Sequence, residues 1–303
     1  MRRRTRRQAV ALGLVAVAVL AGCAPATGAD APGDGHASAD ASAVIPPRAD
    51  TGFDYQLGGV SPPPEGTGIV VRDSTAEPAA GLYSVCYING FQTQPGAADA
   101  WGDLVLREER EPVADEPLGD EATGRETDAG AADGQPVFDP DWPDEALLDT
   151  GSEDSRQRIA DRLAPLIAGC AEAGFDAVEF DNLDSYTRSG GRLTLEDNLA
   201  LARLLSTEAQ GRGLAVAQTN TPEAVDAAPG VFDFAIAEDC GAFDECAAYT
   251  RAYDVVLDIE YGTGDEFADL CAAGAVPSTA IRRDLGLVPA LADGYVFERC
   301  DED

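Results

Sequence analysis

Residues 155–184 read SRQRIADRLAPLIAGCAEAGFDAVEFDNLD. Ile159, Leu163, Ile167 and Cys170 recur at helical spacing, which predicts an amphipathic helix over Ser155–Ala173 stopped by Gly174. The period then changes. Phe175–Asp181 is a short apolar run that predicts a buried strand. Side chains alternate along a strand, so Glu179 and Asp181 share one of its faces. A helix that feeds a strand ending in carboxylates belongs to a sheet of parallel strands with crossover helices.

Working outward, the same alternation recurs. Strand-like runs are expected at Phe53–Leu57, Gly68–Asp73, Leu82–Asn89, Leu214–Asn220, Phe232–Glu238, Asp254–Tyr261 and Ser278–Asp284, with an extra terminal strand at Tyr295–Cys300. A second helix, Thr194–Gln210, opens on Thr194-x-x-Asp197, a capping-box variant, and ends at Gly211 and Gly213. Residues 51–303 have about the roughly 250 residues typical of a (β/α)8 TIM barrel, and that single domain is the expected fold. One segment breaks the pattern. Arg107–Pro136 is dense in acids, Gly, Pro and Ala and has no apolar period, which predicts a disordered acidic insertion after the third strand.

Residues 1–22 read as a signal peptide: Arg2, Arg3, Arg4, Arg6 and Arg7 precede an apolar run too short for a comfortable membrane span. Leu20-Ala21-Gly22-Cys23 resembles a bacterial lipobox, so cleavage before Cys23 and lipidation of its thiol are expected. Residues 24–50 lack the large apolar side chains a core needs, so 23–50 is read as a lipidated cysteine and its flexible tether. The expected location is the cell membrane, held by lipid alone and facing outward. An ordinary signal peptide with a chance cysteine is the alternative.

Composition removes several chemistries. The chain carries 21 Lys+Arg against 55 Asp+Glu, a formal charge of -34, and every cation is arginine. Without lysine there is no Schiff base and no P-loop. The single histidine, His36, lies in the tether and makes a poor triad member. A pI near 4.1 argues against nucleic acid, whose phosphates demand a basic face. No cofactor is expected, and no metal, since no EF-hand-like spacing occurs. A monomer is expected. Removing the leader takes away five arginines and leaves a still more acidic chain.

Seven cysteines are odd for an exported protein. If Cys23 carries lipid, six remain for disulfides: Cys86, Cys170, Cys240, Cys246, Cys271 and Cys300. On the third strand Cys86 faces away from Tyr87 and Asn89, towards the helices, and Cys170 lies on the apolar stripe of the following helix. Cys86–Cys170 is therefore geometrically sensible. Cys240–Cys246 would close a tight loop, leaving Cys271 with Cys300, although sequence alone leaves every pairing open.

In a parallel barrel the C-terminal strand ends form the active-site face. Here they carry Asp73, Asp181, Asp184, Glu238, Glu260 and Asp284, with Tyr87, Asn89, Asn182, Gln218 and Asn220 at the same level. Such a face suits hydroxyl-rich ligands. Crowded carboxylates also raise some of each other's pKa values, which makes a general acid available near neutrality.

Several of these stretches resemble glycoside hydrolase family 114, the endo-α-1,4-polygalactosaminidase-like TIM-barrel proteins. They are Phe53–Leu57, Cys86–Gly90, Gly174–Asp184, Ala217–Asn220, Ala237–Cys240 and Asp258–Tyr261. The resemblance implies a catalytic Asp after the fourth strand and a Glu after the sixth, which fall on Asp181 and Glu238. By analogy with a retaining glycosidase, Asp181 is expected as nucleophile and Glu238 as general acid/base. Tyr55, Asp73, Tyr87, Asn89, Asn182, Asp184, Gln218, Asn220, Glu260 and Tyr261 are the expected sugar contacts. The expected partner is a polysaccharide, and the acidic charge favours a cationic amino-sugar polymer. A non-catalytic polysaccharide-binding lipoprotein on the same barrel is the alternative reading.

Overall fold

The computed structural model describes residues 43–108 and 134–300. The leader, Cys23, most of the tether and the acidic middle of the insertion lie outside the described residues.

Eight strands pair in chain order, each parallel to the next: β1 (Gly52–Gln56), β2 (Thr67–Asp73), β3 (Tyr83–Asn89), β4 (Ala177–Asp181), β5 (Ala215–Thr219), β6 (Phe234–Glu238), β7 (Val256–Glu260) and β8 (Ile281–Arg283). A ninth, β9 (Phe297–Arg299), runs antiparallel to β8. Seven of the nine lie within their expected runs, β1 and β2 each begin one residue before theirs, and the curled sheet with its helices is a TIM barrel. One face of each strand builds the barrel interior, where Phe53, Ile69, Val71, Val85, Phe234, Ile236, Leu257 and Ile259 pack together. The other face packs Cys86, Ile88, Val178 and Val216 against the outer helices.

Two of those helices, α2 (Glu153–Ala173) and α3 (Leu195–Gln210), are long. Ile159, Leu163 and Ile167 of α2 are buried against Leu199, Leu201 and Leu205 of α3. Ser152 caps α2, and Gly174 ends it with the left-handed φ of 93° that a glycine accepts without strain. The Thr194–Asp197 capping box opens α3 as expected. The remaining helices, α1 (Ala98–Trp101), α4 (Ala224–Ala227), α5 (Cys246–Ala252) and α6 (Gly264–Ala273), are shorter.

Strict alternation fails at the start. Residues 57–66 and 74–82, which join β1 to β2 and β2 to β3, hold no helix. Both are too short for a helical crossover, and the first is rich in Gly and Pro. The insertion also needs correction at its ends. Arg107 pairs with Pro136, Val105 with Leu148, Phe138 with Ala146 and Gln92 with Leu147, in antiparallel fashion. A small lobe therefore rises after β3, buried at Leu104, Leu106, Leu147 and Leu148. Its bridges are single, too short to show as a period in the sequence.

All three disulfides are formed as the geometry suggested. Cys86–Cys170 ties β3 to α2, Cys240–Cys246 closes the loop after β6, and Cys271–Cys300 ties α6 to the end of β9. Side chains span the seam between the first and last strands. Arg283, 1% exposed, pairs with Asp54 at 2.9 Å and donates to the carbonyls of Tyr55, Val288 and Val296. Arg299 reaches the carbonyl of Glu65 and the hydroxyl of Thr67.

Candidate active site

Alternation puts Glu179 and Asp181 of β4, Thr219 of β5 and Glu238 of β6 on the inner face. Tyr55, Tyr87 and Tyr261 meet them there from β1, β3 and the end of β7. Asp181 receives two short donors, the Tyr87 hydroxyl at 2.6 Å on Oδ2 and the Asn182 amide at 2.7 Å on Oδ1. Glu238 accepts the Tyr261 hydroxyl on Oε1, and its own amide donates to Asn220 Oδ1 at 2.8 Å. One level deeper, Glu179 is wholly buried and accepts the hydroxyls of Tyr55 and Thr219, each at 3.1 Å.

Three carboxyl groups so close cannot all be ionised cheaply. Burial pushes Glu238 up to about 7, with the negative charge of Asp181 adding and the Tyr261 hydroxyl opposing. Burial also raises Asp181, against the pull of Tyr87 and the Asn182 amide. Glu179 is raised well above the usual carboxylate range by burial, then by Asp181 and Glu238. Tyr87 and Tyr261 are held well above the usual phenol range, chiefly by burial, so both remain donors. Tyr261→Phe removes the bond that favours ionised Glu238. Its alkaline activity limb should therefore move up by about one pH unit. A kcat/KM–pH profile with that limb unmoved, or moved down, would contradict the assignment.

The backbone bends sharply at the same level. Asn182 (φ 67°), Asn220 (φ 43°), Thr221 (φ 59°) and Asp239 (φ 57°) are all left-handed without being glycine. Asn and Asp tolerate that region; a β-branched Thr does so at a cost. Asn182 and Asp239 directly follow the two carboxylates, and each corner is tied down. Asn182 Nδ2 donates to Asn89 Oδ1 at 3.0 Å, and Asp239 Oδ1 accepts the Tyr261 amide at 2.9 Å.

Above this floor lies a cleft of about 860 Å³. Of the expected sugar contacts, Tyr55, Asp73, Tyr87, Asn89, Asn182, Asp184, Asn220 and Tyr261 line it together with Asp181 and Glu238. Gln218 and Glu260 do not. Both lie on the outward face of their strands, where Gln218 donates to the carbonyls of Asn220 and Thr221 and accepts the Tyr253 hydroxyl. Glu260 accepts the Gly241 amide at 2.6 Å and holds the disulfide loop with Asp258, which takes the Cys240 amide. Cys240, Cys246, Asp258 and Glu260 offer donor atoms within 4.8 Å of one another. The two sulfurs are bonded to each other, however, so no thiolate is available there for a metal.

Sequence reasoning missed part of the wall. Asp139, Trp142 and Glu145 come from the lobe after β3, Arg188 from the 3₁₀ turn after β4, and Phe243 and Glu245 from the disulfide loop. Arg188 lies one helical turn beyond Asp184, a spacing that could have signalled its ion pair. The lobe residues carried no comparable signal.

Comparison with known proteins agrees with this architecture. The crystal structure of Aspergillus fumigatus Ega3 in complex with galactosamine aligns with a TM-score of 0.63 at 18% identity, covering 86% of this chain and 98% of that one. At that identity the likeness shows the fold. The glycoside hydrolase domain of PelA from Pseudomonas aeruginosa aligns more loosely, with a TM-score of 0.47 at 15% identity over 78% of this chain and 96% of that one. Comparison with curated protein sequences gives no match. The model of glycoside-hydrolase family GH114 matches residues 34–303, a span holding every strand and both carboxylates described above, and the chain belongs to that family of glycoside hydrolases.

Proposed function

We propose that this protein cleaves an amino-sugar polysaccharide, an α-1,4-linked galactosamine polymer attacked within the chain, from a lipid anchor on the outer face of the membrane. The observation that carries the reading is the pair of half-buried carboxyl groups, Asp181 and Glu238, at the ends of β4 and β6 on the barrel mouth, Asp181 accepting two donors and Glu238 one on its side chain. Asp181, favoured as the anion by two donors, attacks the anomeric carbon. Glu238, protonated near neutrality, gives its proton to the departing glycosidic oxygen. A covalent glycosyl–Asp181 ester results. Glu238, now ionised, takes a proton from water as that water attacks the anomeric carbon and displaces the Asp181 carboxylate, which restores both groups.

Charge supports the substrate class. Asp73, Asp139, Asp141, Glu145, Asp184, Glu223, Asp239 and Glu245 line the cleft, and Arg188 is the one cation among the described lining residues. A polymer of ammonium-bearing sugars is drawn to such a wall, and salt screens that attraction. Ega3, the solved structure aligned above, was crystallised with galactosamine. The lipobox-like Leu20–Cys23 supports the anchor; Cys23→Ala should release the protein from membranes.

The test is product analysis of the purified protein on galactosamine and glucosamine polymers, each acetylated and deacetylated. Galactosamine oligomers should appear, at a rate that falls steeply as salt is raised. Binding without any new reducing ends would turn the reading into that of a non-catalytic sugar-binding protein.

A further inference from the structure

Five polar residues close a ring of contacts beside the cleft. Arg188, the last residue of the 3₁₀ turn after β4, pairs through Nε with Asp139 at 2.6 Å. Asp139 accepts Gln92 Nε2 at 2.7 Å, and the Gln92 amide donates to Asn89 Oδ1 at 3.1 Å. The same oxygen accepts Asn182 Nδ2 at 3.0 Å, and Asn182 Oδ1 accepts Arg188 Nη2 at 3.1 Å. The ring therefore joins the end of β3, the lobe after it, the corner after β4 and the turn that follows. Asn89, Gln92 and Asp139 are buried.

Arg188 is the hub. A guanidinium is a planar fork, and Arg188 spends its two tips on Asp184, at 2.7 and 2.9 Å, while its Nε edge meets Asp139. Asp139 in turn accepts the amides of Asp141 and Trp142, both of which line the cleft. At 2% exposure, Asp139 without its cation would be a buried unpaired anion, and the lobe would have to open to wet it. The other end of the ring reaches the reaction. Asn182, left-handed at φ 67°, is gripped at both side-chain tips, which fixes the amide it donates to Asp181 Oδ1 at 2.7 Å. Asp181 faces the acids Glu179 on its own strand, Glu238 from β6, Asp184 from the turn and Glu145 from the lobe. The phenols Tyr55, Tyr87 and Tyr261 face it from β1, β3 and the end of β7. Arg188 is the one cation among the described lining residues, and its charge favours ionised Asp181.

We infer that Arg188 is a positioning residue for the hydrolysis: one guanidinium clamps the lobe beside the cleft and sets the corner that holds Asp181. The inference rests on the hydrolase reading above and adds a residue to it. Loss of the fork and loss of the charge have separate consequences. A lysine keeps the charge, but its ammonium is a single point that cannot span Asp139, Asp184 and Asn182 together. A glutamine removes the charge as well, and ionised Asp181 then loses a stabilising neighbour.

The test combines kcat/KM–pH profiles on galactosamine polymer with hydrogen–deuterium exchange at the amides of Asp141 and Trp142. Arg188→Gln should move the acid limb, set by ionisation of Asp181, up by about half a pH unit. Its kcat/KM should fall roughly tenfold or more as the nucleophile loses its fixed corner. The two lobe amides should exchange faster. Arg188→Lys should leave the acid limb in place and recover part of the rate, yet still show the faster exchange. The inference is overturned if the limb of Arg188→Gln stays or moves down, if Arg188→Lys moves it up by that amount, or if the lobe amides remain as protected as in the native protein. Should Arg188→Gln fail to fold, Arg188→Lys decides alone, through its limb and its exchange. A native protein that cleaves no polymer would remove the hydrolase reading itself, while exchange would still show whether the guanidinium holds the lobe.

Discussion

Asp181→Asn and Glu238→Gln should each lower kcat on galactosamine polymer by about 10³-fold or more while leaving the fold intact. Each amide keeps the shape of the group it replaces. The Tyr87 and Tyr261 hydroxyls still find an acceptor oxygen, so the structural part of each contact survives. The chemistry does not. A neutral amide at 181 is a poor nucleophile, and an amide at 238 has no proton to give, a loss that alone removes about 10²–10⁴-fold. The two variants should differ on a substrate with a good leaving group. Such a substrate needs no proton donor for the first step, so Glu238→Gln should recover part of its rate as a burst of leaving group. Asp181→Asn should recover nothing. Full activity in both variants would refute the assignment. Neither should melt lower than the native protein, because each removes a carboxylate from a crowded, buried cluster.

Activity should also fall about tenfold per pH unit above neutrality, reaching about 100-fold two units above the value near 7 given for Glu238. The proton donor must carry its proton, and above that pH it does not. Stability should run in the same direction. Glu179, Asp181, Glu238, Asp258 and Glu260 all have folded-state pKa values raised above their ordinary ones, in each case chiefly by burial. The native chain therefore binds more protons than the unfolded chain over the range between the two sets of values. The stabilisation is fully present below the ordinary carboxylate range and is lost as pH rises through the folded values. Melting temperature should decline from about pH 5 to about pH 8. A profile that rises over that interval would show these groups to be ionised at no cost.

Much of this was legible in the chain because barrel strands advertise themselves. The run Ala177-Val178-Glu179-Phe180-Asp181 is apolar enough to be buried on both faces, and its two acids share one parity. Cys86 and Cys170 could be paired from alternation on a strand and a stripe on a helix. Parity failed on β5 and β7, where the level of a residue was read without its face. On β7, Leu257 and Ile259 fill the barrel, which sends Asp258 and Glu260 outward to the amides of the disulfide loop. Thr219, not Gln218, reaches Glu179. The lobe after β3 was illegible for another reason. Its bridges join residues such as Val105 and Leu148 that are far apart in sequence, and no local period marks them. With it went Trp142 and Glu145.

The left-handed corners at Asn182, Asn220 and Asp239 bear on how such a protein can be diversified. Each turns the chain out of the barrel immediately past a working side chain and is secured by its own hydrogen bond. They act as fixed joints. The Phe243 loop downstream can be exchanged for other lengths and sequences without moving the carboxylates beneath, whereas the Arg188 turn also tunes them, its charge opposing the rise of Asp181. The joints themselves accept little besides Asn, Asp and Gly. Libraries aimed at new polymer specificity should therefore hold these three positions and the Arg188 turn constant and vary the Phe243 loop.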